Sequence, residues 1–433
     1  MRGWFLRTAF VAQIVLLCAA CATPARVGSS LPADGGGART SAFSAERLTR
    51  IDRMLQQYVD EGRIGGAVAL VLEDGRPVYE RAIGWRDSDA RVAMTNDTIF
   101  RIASQTKAIT SVAILMLLEE GKLTLSDPVG KFIPEYTKTS VAVQGEGGVD
   151  IVPAKRAITI RDLLTHTAGV SYGTQPHVAA LYEAKGLGPA AGAGWYTADK
   201  NELVCVTMAR LASLPFLAQP GEAFVYGYST DILGCVVERA SGASLAEFVR
   251  TRITQPLAMH DTHFYLPSEQ RARLATVYGS GADGKAVRSP DGARGQGHYV
   301  DGPRRSFSGG AGLVSTARDY GRFLEMIRND GELEGVRILA PRTVALMRTN
   351  QVGELLSKGL GFGFGFQSVE RYGASGMDAT GAFGWGGAYG STYRVDPGSG
   401  VVILLMIQLM PNHTDIQEKF ANLVYQAMTG ARK

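Results

Sequence analysis

The sequence predicts an α/β protein. An antiparallel sheet built from the two ends of the chain is flanked by N- and C-terminal helices, and a mostly helical region is inserted between them. Three observations carry this. Apolar, β-leaning runs stand beside a helical pattern at each end of the chain, whereas residues 104–120, 159–165, 199–214, 229–240 and 244–253 have helical spacing and few strand signals. The composition, 433 residues with 45% hydrophobic and 20% charged, is that of a globular chain with a large core. Disorder, coiled coil and collagen-like repeats are thereby excluded.

The elements follow in order. Arg2 and Arg7 flank a short apolar stretch, Thr8 to Ala20, so residues 1–22 are expected to be a signal peptide and the protein to be exported. Leu17-Cys18-Ala19-Ala20-Cys21 resembles a lipoprotein box, which would place a lipid anchor on Cys21; Ala20-Cys21-Ala22 also suits plain signal cleavage. Residues 23–43, with Pro24, Pro32 and Gly35-Gly36-Gly37, read as a flexible linker. Residues 44–100 are expected to be the first part of the α/β domain. Ser44 caps a helix with Leu48, Ile51, Leu55 and Tyr58 on one face, and the strands Gly66–Leu72 and Pro77–Gly84 turn at Asp74-Gly75.

Residues 101–307 form the expected helical domain and 308–433 the second part of the α/β domain. In the latter, Phe362, Phe364 and Phe366 alternate with glycine as in a strand against close-packed backbone. Gly384–Val395 and Val401–Leu409 are read as two strands, the second apolar throughout as in a sheet centre, and Asp415–Met428 as the last helix. Cys205 and Cys235 lie in apolar helical patterns and read first as two buried thiols, with a single disulfide as the alternative. The loops 137–158, 170–198 and 276–306 carry no clear pattern. Net charge is only +4 and no long run of like charges occurs, so there is no footprint for nucleic acid or an anionic membrane surface.

Chemistry enters at Ser104-Gln105-Thr106-Lys107, which opens an apolar helix. A spacing of three puts the hydroxyl and the amine on one helix face at the positive end of the dipole. Desolvation there favours a neutral amine able to take the serine proton. Alone the motif is weak, and a capping serine with a solvated lysine is its plain alternative.

The surrounding residues decide. Phe100 to Lys107, then Glu119-Glu120-Gly121-Lys122-Leu123 and Asp127-Pro128-Val129, resemble the serine β-lactamase-like hydrolases. So do Ile160 to Gly169, Pro220-Gly221 followed by Tyr226, Gly309-Gly310-Ala311-Gly312-Leu313 and Trp385-Gly386-Gly387. Within that superfamily the pattern is most similar to the family VIII carboxylesterases, relatives of class C β-lactamases.

The resemblance implies a β-lactamase/penicillin-binding-protein-like fold with Ser104 as nucleophile, Lys107 as its base and Tyr226 as proton shuttle. It further implies an oxyanion hole from the backbone N–H groups of Ser104 and Ala388. Tyr172, Tyr228, Trp385, Gly386 and Gly387 are the expected substrate-binding residues, and the scheme needs no metal and no cofactor. Asp231 is expected to order a helix start. β-Lactamases usually carry Lys at the position of Trp385 and Asn at that of Tyr228. Rings in both places remove the grip on an anionic substrate, which favours esters of uncharged short to medium acyl groups.

Three lesser candidates are set aside. Gly169-Val170-Ser171-Tyr172-Gly173 matches the Gly-x-Ser-x-Gly elbow, but it follows a helical pattern and precedes a loop, so Ser171 is read as part of a turn. His260-Asp261-Thr262-His263 reads as a helix exit, and His166 and His298 have no legible acid partner. The competing functions are cleavage of a β-lactam or a D-amino-acid amide, acyl transfer on the same scaffold, and a binding protein that has lost catalysis.

Overall fold

The computed structural model describes residues 41–430, apart from 147, 189–199 and 293. The expected signal peptide, Cys21 and nearly all of the linker lie outside these residues. From Ser41 onward the chain forms one compact unit. Ser44 caps α1 (Ala45–Asp60) by accepting from the Arg47 N–H, and Leu48, Ile51, Leu55 and Tyr58 turn inward.

Eight strands make one antiparallel sheet. They are β1 (Gly66–Glu73), β2 (Arg76–Asp87), β3 (Val92–Ala93), β4 (Leu360–Phe362), β5 (Gln367–Val369), β6 (Phe383–Gly386), β7 (Thr392–Asp396) and β8 (Val401–Met406). Their order is β4-β5-β6-β7-β8-β1-β2-β3, so the apolar β8 lies between β7 and β1. The pairing sets Val68 opposite Met406 and Leu70 opposite Leu404. Val68, Leu70, Val402 and Leu404 enter the larger core, while Ala67, Ala69, Ile403 and Leu405 pack with α1 and the C-terminal helix Ile416–Ala427. Both faces are covered, which is why these strands read as unbroken apolar runs.

The inserted region centres on α2 (Thr106–Glu119), buried over Thr106–Leu117 and therefore apolar on all sides. Beside it lies α3 (Ser229–Ser241), which ends at Gly242 in the left-handed region. A disulfide joins Cys205, on the helix Val204–Leu211, to Cys235 on α3, with Cα atoms 4.9 Å apart. This corrects the expectation of two free thiols: packing of the two helices brings together positions 30 apart in sequence. On the chain-entropy model a bridge closing a loop of that size is worth about 3.6 kcal/mol.

Other expectations change in detail. The stretch 384–395 is two strands, because the chain reverses through Gly387–Ser391, where the Gly387 N–H donates to the Ser391 carbonyl and Gly390 sits at φ 86°. The Phe362–Phe366 stretch is likewise a turn between β4 and β5, with Gly363 N–H on the Phe366 carbonyl. The loop 137–158 holds a hairpin, Ser140–Gly145 with Gly148–Pro153, whose local alternation is too weak to read. Pro176–Ala184 is a short helix in the loop 170–198, and Ala317–Arg328 a long one packed on the sheet.

Candidate active site

Ser104 is placed by a short strand and a sharp turn. Phe100 and Arg101 pair with Ser315 and Val314, and the Ile102 N–H donates to the Leu313 carbonyl. Ala103 then takes φ 43°, an uncommon conformation for a residue with a Cβ, and one turn of 3₁₀ helix leads into α2. This turn aims Ser104 into a crevice bordered by the β6–β7 reversal. A Cβ on Gly387 would lie 2.5 Å from the Ile102 carbonyl oxygen, so only glycine lets that reversal approach the serine turn.

Lys107 stands one helical turn further on. Its Nζ donates to Ser104 Oγ at 3.2 Å, to the Tyr172 hydroxyl at 2.9 Å and to the Gly310 carbonyl at 2.8 Å. Ser104 keeps 9% of its surface accessible and Lys107 only 1%, so the hydroxyl is partly open to solvent while the amine is buried behind it. The face of the Tyr226 ring lies 4.7 Å from the same Nζ. The groups bonded to this buried nitrogen are two hydroxyls and a carbonyl, with no acidic side chain among them; as a free amine it donates to Tyr172 and Gly310 and keeps its lone pair for the Ser104 hydroxyl.

Gly310 belongs to a strap, residues 308–312, held against α2 and α3. Ser308 Oγ donates to Asp231 Oδ1 at 2.6 Å, the Gly310 N–H donates to the same oxygen at 3.3 Å, and Thr110 Oγ1 binds the Gly309 carbonyl. A Cβ on Gly310 would meet Asp231 Oδ2 at 2.4 Å. Asp231 therefore ties the strap more than its own helix start. Burial pushes its carboxyl above the usual range, opposed by Ser308 and by the Lys107 charge.

Tyr172 and Tyr228 depart from the expectation. Tyr228 is fully buried, its hydroxyl accepts from the Gly188 N–H at 3.1 Å, and its ring lies edge-on to Tyr172 at 4.9 Å. It supports the segment that carries Tyr172 and does not line the crevice. Tyr172 is bonded to Lys107 itself. Burial, with Tyr226 and Asp231 close by, raises its phenol well above the ordinary value, so it stays protonated. Ser171, within the Gly-x-Ser-x-Gly match, is fully buried, accepts from the Gly173 N–H at 3.0 Å and faces the Tyr182 hydroxyl. That segment packs on Gly227, where a Cβ would lie 2.4 Å from the Val170 carbonyl oxygen. Within it Gly169, where a Cβ would lie 2.2 Å from the Ala218 carbonyl oxygen, serves close backbone approach, Gly173 makes room for the Tyr182 side chain, and Tyr172 reaches Lys107.

An aromatic wall completes the crevice. Trp385 lies 5.5 Å from Tyr226 and 5.3 Å from Phe362, and its Nε1 donates to the Tyr226 hydroxyl at 3.1 Å. Trp385 is thus a hydrogen-bond donor to this phenol as well as an apolar surface. We expect Trp385→Phe, which keeps a ring but removes the donor, to cost about tenfold in kcat with little change in KM. Steady-state kinetics check this; a rise in KM alone would reduce Trp385 to a binding wall.

His166, for which no partner was legible, packs its ring 4.7 Å from that of Tyr226 and its carbonyl accepts from the Val225 N–H. Among the described residues its Nδ1 has no hydrogen-bond partner, and burial first, then the Lys107 charge, lowers its basicity so that the imidazole is neutral. Only the packing of the rings reveals this contact; nothing in the residue types announces it. Elsewhere, Asp261 is held by Arg273 at 2.6 and 2.7 Å. No helix among the described residues is long and apolar enough to cross a membrane.

A buried Ser-x-x-Lys pair at the start of a central helix, with tyrosines over the lysine and the β6–β7 reversal of an antiparallel sheet beside the serine, defines a serine hydrolase on the β-lactamase and penicillin-binding-protein fold. The chain belongs to the β-lactamase family, which matches residues 51–427. It is a carboxylesterase-type serine hydrolase. Esterase EstB of Burkholderia gladioli is 34% identical over 412 residues, covering 90% of this chain and 95% of EstB. An uncharacterised protein of Mycobacterium tuberculosis is 36% identical over 380 residues, 83% of this chain and 89% of that protein. The solved structure of EstCE1, described as a hydrolase with promiscuous acyltransferase activity, superposes with a TM-score of 0.76 at 29% identity, covering 89% of this chain and 99% of EstCE1.

Proposed function

We propose that this protein hydrolyses esters of uncharged carboxylic acids with short to medium acyl chains through an acyl-enzyme on Ser104. The observation that carries the proposal is the Lys107 Nζ, 3.2 Å from Ser104 Oγ and buried behind it, facing a crevice walled by Trp385 and Tyr226. Lys107 accepts the proton as Ser104 Oγ bonds to the ester carbonyl carbon. The oxyanion that forms is stabilised by the backbone N–H groups of Ser104 and Ala388, which cost no reorganisation at the moment of reaction. Tyr226 returns the proton to the departing alcohol oxygen, and water then cleaves the acyl-enzyme by the reverse sequence.

The aromatic wall favours esters over β-lactams. Trp385 occupies the place where β-lactamases usually carry a lysine for the substrate carboxylate, and an indole offers no charge to an anion. The expected ratio of kcat/KM for p-nitrophenyl butyrate to that for nitrocefin is at least a hundredfold, about 3 kcal/mol of discrimination, measured with Ser104→Ala as blank. A ratio near or below one overturns the ester reading in favour of a β-lactam or D-amino-acid amide. Acyl transfer is the second reading, supported by the likeness to EstCE1. The same assay with added methanol measures it, and absence of methyl butyrate sinks it.

Export and a lipid anchor at Cys21 remain part of the proposal, supported by the Cys205–Cys235 disulfide, a bond that persists in oxidising compartments. Intact-mass measurement of the protein from a bacterial membrane fraction is expected to show a chain starting at diacylglyceryl-Cys21. An unlipidated chain would overturn the anchor, and a chain retaining Met1 would overturn export.

A further inference from the structure

A second cavity lies behind the strap that serves Lys107, apart from the catalytic crevice. Its volume is about 270 Å³, below the range of drug-sized ligand sites, so it suits a small molecule. Val249, Phe264, Tyr265, Phe307 and Leu313 give it apolar walls, and Arg304 stands among its lining residues. One side is a short π-helical turn, Arg250–Thr254, a local irregularity that widens a helix and recurs at functional sites.

The charges at the cavity are unequal. Arg250, also on the lining, is neutralised by Glu247 at 2.8 Å. Arg304 spends its Nη2 on the carbonyls of Leu266 and Val300, and among the described residues no carboxylate lies within ion-pair distance of it. The nearby Asp301 is engaged by Arg271. A guanidinium has five N–H donors in a fork that matches a carboxylate, so Arg304 retains donors for one.

We propose that this cavity is a binding site for an aliphatic carboxylate, with the alkyl chain against Phe264, Phe307 and Leu313 and the carboxylate on Arg304. The site adjoins catalysis through the backbone. Phe307 and Leu313 bracket the strap 308–312, which presents the Gly310 carbonyl to Lys107 and is anchored to Asp231 through Ser308. An occupant resting on both side chains braces that strap from behind. The proposal concerns binding alone and stands whether or not the ester reading of the crevice holds.

The test is calorimetric titration of octanoate into the full-length protein, with Ser104 capped by an alkyl phosphonate so that the crevice is closed. One saturable site is expected. Arg304→Gln should weaken it at least tenfold, octan-1-ol should bind at least tenfold more weakly than octanoate, and Val249→Phe, which fills the cavity from the helix side, should remove binding. Circular dichroism selects the variants that fold, and either one suffices. Loss of binding on capping would place the acid in the catalytic crevice and overturn the proposal. Equal binding by Arg304→Gln, or by octan-1-ol, would overturn the carboxylate assignment.

Discussion

Ser104→Ala is expected to lower ester turnover by about four orders of magnitude or more, the scale seen when a nucleophile that acts as part of a unit is removed. Ser171→Ala is expected to stay within a few-fold of the native rate. The two serines make a sharp comparison because each satisfies a hydrolase motif. Ser104 follows a backbone turn at φ 43° and lies 3.2 Å from a buried amine. Among the described residues no basic side chain is bonded to Ser171; its hydroxyl is occupied by the Gly173 N–H and the Tyr182 hydroxyl. Kinetics with p-nitrophenyl butyrate decide, and retention of activity in Ser104→Ala with loss in Ser171→Ala would reverse the assignment.

The second large effect separates Lys107 from its two tyrosines. Lys107→Met should cost about 10³- to 10⁴-fold in kcat and Tyr226→Phe about 10²-fold or more, within the range of general acid–base contributions, and Tyr172→Phe only about tenfold, below it. The ranking rests on geometry and protonation together. Tyr172 is bonded to the Lys107 amine at 2.9 Å, but burial keeps its phenol firmly protonated, which suits it to hold the amine in place. Tyr226 accepts the Trp385 indole N–H, which fixes the position of its phenol oxygen. A Tyr172→Phe loss as deep as that of Tyr226→Phe would move the proton shuttle to Tyr172. The pH profile of kcat/KM is the second readout, because a residue that only positions the amine lowers the rate without changing the profile's shape.

The proposed carboxylate site adds a control to these experiments. If free acid binds behind the strap, end-point assays that accumulate product sample a different protein from initial-rate assays. Rates are therefore best compared at low conversion.

Much of this protein was legible from local residue patterns. The Ser44 cap, the α1 stripe, the Asp74-Gly75 hairpin and the unbroken apolar run of β8 are signals in which neighbours along the chain set the outcome. The Ser-x-x-Lys spacing is of the same kind, since one helical turn fixes the relation between positions 104 and 107 whatever surrounds them. Tertiary packing decided the rest. The Gly387–Ser391 reversal that splits an apparent strand, the Cys205–Cys235 bond, the burial of Tyr228 and the Trp385 indole on Tyr226 all join segments distant in sequence. Tyr172, Gly310 and His166 reached the site the same way, through backbone close approach at Gly227, a carboxylate clamp at Asp231 and a ring contact with Tyr226. The sequence by itself set the spacing of Ser104 and Lys107 and the apolar strands beside them, because periodicity and helical spacing act over a few residues; their roles as nucleophile and base came from the family resemblance. Which tyrosine is bonded to that lysine and which receives the Trp385 indole was decided only when the chain closed on itself, since contacts between distant segments exist only in the folded state.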